Sequence, residues 1–365
     1  RVENIIAFGN GHPQSEFTTQ ESVSNVESNN IQEYYKTYFR PNNAYLIIIG
    51  DVDADEVISL SEKLFGDWEN SSNLDNLFGD SSTNSFEEAS NSDSISIHVV
   101  DVPNSSNVEV TFQNIIKRTL KDENYFSSNI ANRVLGARPE SRLESVIRED
   151  YGYAYYARSI LSSNSDTKTK FQARTTVRDE VTDSAVVEIY NQLKKIGEVA
   201  ITDEELENAK SGYFGSFAMS MENSGTIAGQ ALNIMTENLP EDFYKTFLTN
   251  INKVTKDQVM QSSKSFVQVD NSQIIITGKV GNILDKIENI YINDELIPVK
   301  YHDAFGNVID RPDYSVDESV SVESVISNYI NTIGGRERLE KVKSTEVIGG
   351  ASLNMQGQSF VLEFY

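Results

Sequence analysis

The chain has 365 residues, of which 38% are hydrophobic, and its 55 acidic and 31 basic side chains give a formal net charge of −24 at pH 7. This charge repels nucleic acid and anionic membranes at long range, which leaves basic or neutral partners. The sequence contains no cysteine, which excludes disulfides, thiolate zinc sites and thiol nucleophiles. It also contains no run near the roughly 20 apolar residues of a membrane-spanning helix.

A repeat at an offset of 228 positions (264 − 36) organises the chain. Residues 36–52, KTYFRPNNAYLIIIGDV, align without a gap with residues 264–280, KSFVQVDNSQIIITGKV. Each copy predicts a helix, a turn, a buried strand that ends at glycine, and another helix. Such elements recur by chance in α/β proteins, but lysine, asparagine and glycine matched in register favour a duplication.

The repeat and the composition predict five segments. Residues 1–68 are the carboxy-terminal part of a first domain, and the Ser/Asn/Asp-rich stretch 69–94 is a linker. Residues 95–290 form a second, homologous domain. A polar connector at 291–314 then leads to the start of a small extra domain at 315–365.

The second domain is predicted to open with two strands, SISIHVVDV and NVEVTFQNI, followed by the helices KDENYFSSNIANRVLG and ESRLESVIRED. Two long strands, YAYYARSILSS and TKTKFQARTTVR, come next, and then three helices, one of which opens with Thr202 and Glu205 at capping-box spacing. This order predicts an α+β fold in which helices pack on an antiparallel-rich sheet. By the same offset, the first copy is expected to be truncated, with about 135 residues missing on its amino-terminal side.

Three histidines, His12, His98 and His302, lie far apart in the sequence. None has a second histidine or a carboxylate at the spacing of helical metal ligands. His98 lies among apolar residues of a predicted strand, so we expect it to be packed or interfacial. Phosphate-binding glycine loops, nucleophile elbows and EF-hand loops are absent from the sequence. These observations predict neither catalytic residues nor a metal site in this chain.

The segment REDYGYAY at 148–155 places an arginine and a tyrosine around a helix-to-strand corner. Arg148 in a last helical turn and Gly152 as the cap are sufficient as ordinary helix termination. Tyr155 is predicted to share a strand face with Tyr153, Ala157 and Ser159. The alternative is functional, because a cation and a phenolic hydroxyl brought together can hold a peptide carbonyl or carboxylate.

Five motifs occur in order over residues 3–290, among them GHPQSEFTTQESV, YYKTYFRPNNAYLIIIGDVDADEVISLSEKLFGDW and SRLESVIREDYGYAY. With them the chain resembles the insulinase, or pitrilysin, family of zinc metallopeptidases, also called inverzincins. It is most similar to the bacterial members with two homologous domains and an extra carboxy-terminal domain, which the tail YINTIGGRERLEKVKS also resembles.

The resemblance implies a zinc motif, His-x-x-Glu-His with a downstream glutamate, in the earlier part of the first domain. That motif does not occur here, so we expect zinc in the parent protein and no activity from this segment alone. The resemblance also implies that Arg148 and Tyr155 hold substrate near the zinc. A glycine-rich loop usual in the family reads LGARPESRL here, and Ala137, Arg138 and Pro139 are expected to stiffen it.

The resulting hypothesis is the downstream, substrate-binding portion of a zinc metalloendopeptidase that degrades peptides or small unfolded proteins between two halves of a clamshell. The second half is the same chain or a related one, and substrate binds partly by adding a strand to a sheet edge. The acidic residues either favour the binding of basic peptides or only form a hydrated protein surface. The alternative is a non-catalytic partner or scaffold subunit. The resemblance implies a periplasmic or envelope location.

Overall fold

A computed structural model describes most of the chain, namely residues 1–71, 88–317, 320–346, 349–355 and 358–364. Two compact units are present, Arg1–Pro312 and Asp313–Tyr365. Most of the predicted linker, residues 72–87, lies outside the described residues. The domain boundaries given above therefore stay predictions.

The α-helices of the first unit are Val2–Phe8 (α1), Gln20–Ser24 (α2), Ser28–Tyr38 (α3), Ala54–Phe65 (α4), Tyr125–Leu135 (α5), Thr182–Glu198 (α6), Asp203–Ser220 (α7), Ser224–Thr236 (α8), Phe243–Lys253 (α9), Lys256–Phe266 (α10) and Leu284–Ile287 (α11). Shorter helical segments are a turn at Arg142–Glu144, a π-helix at Ser145–Asp150, and 3₁₀ turns at Pro13–Ser15, Pro41–Asn43, Asp179–Val181 and Val269–Asn271.

The strands of this unit are Ser96–Asp101 (β1), Val108–Ile116 (β2), Ala154–Leu161 (β3), Thr169–Val177 (β4), Gln273–Gly278 (β5), Tyr291–Ile292 (β6), Glu295–Leu296 (β7), Val299–His302 (β8) and Val308–Ile309 (β9). Within the described residues the main sheet has the order β3-β4-β2-β5-β1-β8-β9. Its β5–β1 and β1–β8 pairs are parallel and the others antiparallel. The predicted α+β class, with helices on an antiparallel-rich sheet, is confirmed.

The two faces of the sheet are covered differently, as β2 shows. Val110 and Phe112 belong to the large apolar core shared with α5, α6, α9 and α10. The alternate residues Thr111 and Gln113 point the other way, because side chains alternate along a strand. There they donate hydrogen bonds to Glu3 of α1, at 3.1 and 2.8 Å. Helix α1 therefore lies on the face opposite the main helical layer.

The predicted repeat is visible in the helix bounds. Helix α3 and helix α10 differ by 228 residues at both ends, as do the 3₁₀ turns Pro41–Asn43 and Val269–Asn271 that follow them. Both helices also begin with a capping box, in which backbone and side chain exchange hydrogen bonds across three residues. The same local sequence signals thus produce the same local structure twice.

The buried strand predicted for residues 44–50 was wrong. This stretch has no strand structure, and its apolar side chains are exposed, by 61% for Leu46 and 46% for Ile48. Its counterpart β5 is paired on both sides, by β1 and β2. Among the described residues no strand pairs with 44–50, and a strand cannot form without partners for its backbone groups.

Two histidines from distant parts of the sequence meet inside the sheet. His98 on β1 and His302 on β8 are each 6% exposed, and their Nδ1 and Nε2 atoms are 2.9 Å apart. His302 Nδ1 lies 3.1 Å from the Gly306 carbonyl oxygen, and His98 Nε2 lies 3.0 Å from Ser96 Oγ. One proton per ring satisfies the whole chain of hydrogen bonds. His98 is a packed histidine, as the sequence predicted.

The second unit contains the helices Val322–Thr332 (α12) and Arg336–Leu339 (α13) and the strands Gly349–Met355 (β10) and Gln358–Phe364 (β11). The two strands form an antiparallel hairpin. Helix α12 starts with a capping box between Ser321 and Ser324. In neither unit do the described helices include one that is both long and apolar enough to cross a membrane.

The histidine pair predicts a specific loss of stability in acid. Burial, followed by the charges of His302 and Lys300, lowers the pKa of His98 to about 3. Below about pH 6.5 the unfolded chain therefore binds a proton that the folded His98 does not. The free energy of unfolding should fall by about 1.4 kcal/mol per pH unit from this residue as pH drops from 6 towards 3.

His98→Gln should remove the contribution of His98 to the slope of the free energy of unfolding against pH. The measurement is urea unfolding of both proteins at pH 7, 6, 5 and 4.5, and the compared quantity is the difference between their slopes. A constant stability cost of the substitution does not affect this difference. Identical slopes for the wild type and the variant would show that His98 does not resist protonation.

Amide exchange should separate the two copies of the repeat. The amides of residues 44–50 lack strand pairing among the described residues, whereas β5 is hydrogen-bonded on both sides. In this chain we expect exchange at 44–50 to be near the unprotected rate, and exchange at Ile274–Gly278 to approach the limit of global unfolding. Equal protection of the two stretches, measured by hydrogen–deuterium exchange and mass spectrometry, would contradict this expectation.

Candidate functional site

The helix-to-strand corner predicted from REDYGYAY is built from irregular backbone. The helical turn at Arg142–Glu144 widens into the π-helix, whose geometry appears in the bond from Tyr151 N to Val146 O at 3.1 Å. Gly152 then takes a positive φ of 63°, which glycine adopts without strain. π-helical turns occur frequently at functional sites. The backbone of the corner is therefore more irregular than that of the simple helix cap that the sequence also allowed.

The start of this corner is anchored to α7. Arg142 donates to both carboxylate oxygens of Glu205, at 2.6 and 2.9 Å, and its side chain is only 12% exposed. Glu205 also completes the capping box predicted with Thr202. A bidentate pair of this kind fixes direction as well as distance. The helix that carries Arg148 is thus held against the first turn of α7.

Arg148 lies near the end of the π-helix, and its side chain is 52% exposed. Its Nη1 donates to Glu144 Oε1 at 2.8 Å. Within the described residues its Nε and Nη2 have no hydrogen-bond partner. Guanidinium groups present five N–H donors in a planar fork, so most of the donors of Arg148 are available to a ligand.

Tyr155 is re-aimed by a β-bulge. The register of β3 against β4 shifts between Ala154 and Ala157, and Tyr155 is 93% exposed while Ala157 and Ser159 are buried. The predicted common face of these three residues was therefore wrong. A bulge puts two residues of one strand opposite one of the other, which turns a side chain outwards. The phenol of Tyr155 consequently points away from the core.

Glu144 joins these features, although nothing in its sequence context marked it as functional. The residue is 9% exposed. Its Oε1 accepts from Arg148, and its Oε2 accepts from the backbone N–H of Ala157 on β3, at 2.9 Å. The buried carboxylate thereby fixes the arginine relative to the strand that bears Tyr155.

The loop after α5 covers the same strand. The carbonyl of Gly136 accepts from Ser159 N at 2.9 Å, and Ser159 Oγ donates to Asn132 Oδ1 at 2.7 Å. Strand β3 is at the edge of the sheet. Its outward N–H groups at Ala157 and Ser159 are therefore already occupied, which disfavours the predicted addition of a peptide strand along this part of the edge.

The histidines do not fit a catalytic zinc. His98 and His302 satisfy each other inside the sheet, and His12 Nδ1 accepts from Gln14 N at 3.1 Å. Among the described parts of the chain, no cluster of three or more His, Cys, Asp or Glu side chains could hold a metal ion. A hydrolytic zinc site needs three such protein ligands. Nothing at the Arg148 corner supplies that set.

Comparison with known proteins assigns the family. Residues 25–213, more than half of the chain, match the family model described as the Peptidase M16 inactive domain. The chain belongs to the M16 peptidase family. The resemblance to zinc metallopeptidases inferred from the sequence motifs is thereby confirmed, and the matched part is the domain that the family description calls inactive.

Two kinds of relative illustrate this membership. The chain is 24% identical over 212 residues to a Bacillus subtilis protein named uncharacterized zinc protease YmxG, a match that covers 57% of this chain and 47% of that protein. The chain thus spans about half the length of the curated relative it matches. A crystal structure of an M16 inactive domain from Pseudomonas fluorescens has a TM-score of 0.65 at 18% identity, covering 76% of this chain and 64% of that chain.

A chain of complex III₂ from Candida albicans has a TM-score of 0.59, also at 18% identity, with 77% of this chain and 66% of that chain covered. At such identities the likeness concerns the fold. The M16 fold is therefore found both in proteins named as proteases and in a multi-subunit complex.

Because the loop after α5 contacts β3 closely, Gly136 should not tolerate a side chain. A Cβ at Gly136 would lie 2.4 Å from Ser159 N and 2.8 Å from Leu143 Cδ1. Gly136→Ala should therefore lower the free energy of unfolding by about 1–3 kcal/mol, because backbone must move. Gly215→Ala in α7, where nothing lies within 4 Å of the added carbon, should raise it by about 0.5–1 kcal/mol.

Urea unfolding at pH 7 measures both variants. If Gly136→Ala were as stable as the wild type, Gly136 would not be in tight contact with Ser159 of β3. The Gly215→Ala variant controls for the general effect of replacing glycine by alanine.

Proposed function

We propose that this chain is the substrate-holding portion of a zinc metalloendopeptidase that hydrolyses peptides or small unfolded proteins. The observation that carries the proposal is the Arg148–Tyr155 corner. A π-helix and a β-bulge, two costly irregularities, occur within a dozen residues, and between them they present a half-exposed guanidinium and an exposed phenol. Regular helix termination needs neither.

In this proposal Arg148 and Tyr155 bind the peptide main chain and position the scissile bond. The free guanidinium N–H groups donate to a peptide carbonyl, and the phenol donates a further hydrogen bond. Zinc, as the resemblance implies, would be held by residues outside this chain and would supply the hydrolytic chemistry. The contribution of the described residues is to bind and orient the substrate.

A second function, that of a non-catalytic partner or scaffold subunit, is favoured by two observations. The matched family description is that of an inactive domain, and the same fold occurs in a chain of complex III₂. Sequencing the gene upstream of Arg1 separates the two functions. An intact His-x-x-Glu-His motif there rejects the scaffold, whereas its absence means that a partner chain must supply the zinc.

The proposal includes assembly and location. We propose that this portion faces a second M16-type half, of the same or a related chain, and that peptide is enclosed between the two. From the resemblance we also propose a periplasmic or envelope-associated location. Size-exclusion chromatography with light scattering tests the assembly, and cell fractionation tests the location.

Arg148→Ala and Tyr155→Phe should each lower kcat/KM for peptide hydrolysis by the parent enzyme about 10-fold or more. A charge-assisted hydrogen bond contributes about 1.5–3 kcal/mol, and its loss appears directly in this ratio. The double variant should lose less than the sum of the two, because both groups hold one substrate segment. Steady-state kinetics with a quenched fluorescent peptide provides the measurement.

Stability measurements and two control variants test whether the kinetic effects are specific. Arg148→Ala removes the half-exposed partner of Glu144, so the free energy of unfolding should fall by no more than about 1 kcal/mol. Tyr151→Phe, at a neighbouring tyrosine that is 51% exposed, and Arg336→Ala, on α13, should leave kcat/KM unchanged. If neither Arg148→Ala nor Tyr155→Phe changed the kinetics, the corner would be structural only.

A further inference from the structure

A groove runs along the free edge of β3, next to the Arg148 corner. Its volume is about 530 Å³, and it is bounded by residues Tyr156 to Leu161 of the strand and by the Gly136–Pro139 loop after α5. Glu144, which holds Arg148, also lines it. The groove and the corner proposed to bind substrate therefore share Glu144.

Backbone pairing cannot be the main recognition in this groove. A peptide that adds to a sheet edge accepts hydrogen bonds from the outward N–H groups of the edge strand. At Ala157 and Ser159 these groups already donate to Glu144 and to the Gly136 carbonyl. A ligand in this part of the groove is consequently distinguished by its side chains.

The charged side chains in the groove are mainly cationic. Arg138 is paired with Glu140 at 3.2 Å, and Glu144 is committed to Arg148. The guanidinium of the exposed Arg158 lies 4.5 Å from the centre of the Tyr156 ring. Among the described residues it has no carboxylate partner. Stacking on an aromatic ring restrains a guanidinium without using its N–H donors.

We propose that this groove is a subsite for an acidic side chain of an extended peptide, and that Arg158 is the residue that determines this preference. The inference rests on the proposed substrate-holding function. It assigns a local preference opposite to the one that the overall charge of −24 would produce by long-range repulsion of acidic peptides.

The geometry also sets the position of the acidic residue. Arg158 follows Tyr155 by three residues along β3, and because the bulge lies between them the distance is at most about 10 Å, the rise of three extended residues. A peptide residue held at Tyr155 should therefore place the acidic side chain about two to three residues further along. Peptides with the acid at other positions should gain less.

The test is peptide binding by fluorescence anisotropy with the full natural polypeptide, in the presence of 1,10-phenanthroline so that metal-dependent cleavage is prevented. The probes are fluorescein-labelled nonapeptides, alike except for one central residue, which is Glu, Gln or Lys, with amidated carboxyl termini. A fourth probe carries Gln and a free carboxyl terminus. A further set moves the Glu along the peptide.

For the wild type we expect the central-Glu peptide to bind about fivefold more tightly than its Gln counterpart, the order of magnitude of a partly exposed ion pair. Arg158→Gln should abolish this difference, and Arg158→Glu should transfer the preference to the Lys peptide. Lys279→Gln, which removes one exposed positive charge after β5, should leave the difference intact.

Several outcomes would overturn the subsite. These are a Glu peptide that binds no more tightly than the Gln peptide, an advantage that survives in Arg158→Gln, an advantage independent of the position of the Glu, and an advantage confined to the free carboxyl terminus. A different result would contradict the proposed substrate-holding function. In that case Arg148→Ala and Tyr155→Phe would bind every probe as the wild type does, whatever happens at Arg158.

Discussion

The buried carboxylate of Glu144 connects the two elements from which the candidate site is built. One oxygen accepts from Arg148 at the end of the π-helix, and the other accepts from the backbone of β3 beside the bulge. A carboxylate that is only 9% exposed is costly unless it is paired and hydrogen-bonded. The helix end and the edge strand are therefore held in one arrangement.

The pairing of Glu144 with Arg148 gives Arg148 and Arg158 different charge environments. Because Glu144 compensates the charge of Arg148, that guanidinium is suited to a neutral acceptor such as a peptide carbonyl. Arg158 has no carboxylate partner in the described part of the chain and is suited to an acid. A strongly acidic chain can thus contain a small region of the opposite preference, since charges beyond about 10 Å are largely screened at physiological ionic strength.

The sequence was a good guide where local signals and their partners lie in the same chain. The alternation in NVEVTFQNI located β2 to within one residue, and the Thr202–Glu205 spacing marked the start of α7. Residues 44–50 carry the same local signal as β5, but strand formation depends on neighbours that no local pattern reveals. Arg148 and Tyr155 were singled out by the REDYGYAY segment together with the family resemblance, and their role in holding substrate stays a prediction. Glu144 was not singled out, because its role depends on contacts with a strand 13 residues away.

The parallel pairing of β1 with β5 has a consequence for how the chain is made. Ser96 aligns with Gln273, 177 residues later, and at a synthesis rate of about 5–20 residues per second the ribosome needs roughly 10 to 35 s to produce that partner. Throughout this interval β1, with five of its six residues destined for burial, has no partner on either side. Newly made chains therefore expose an unpaired apolar strand for many seconds. Chaperones that bind unfolded segments have time to bind β1 before it pairs with β5.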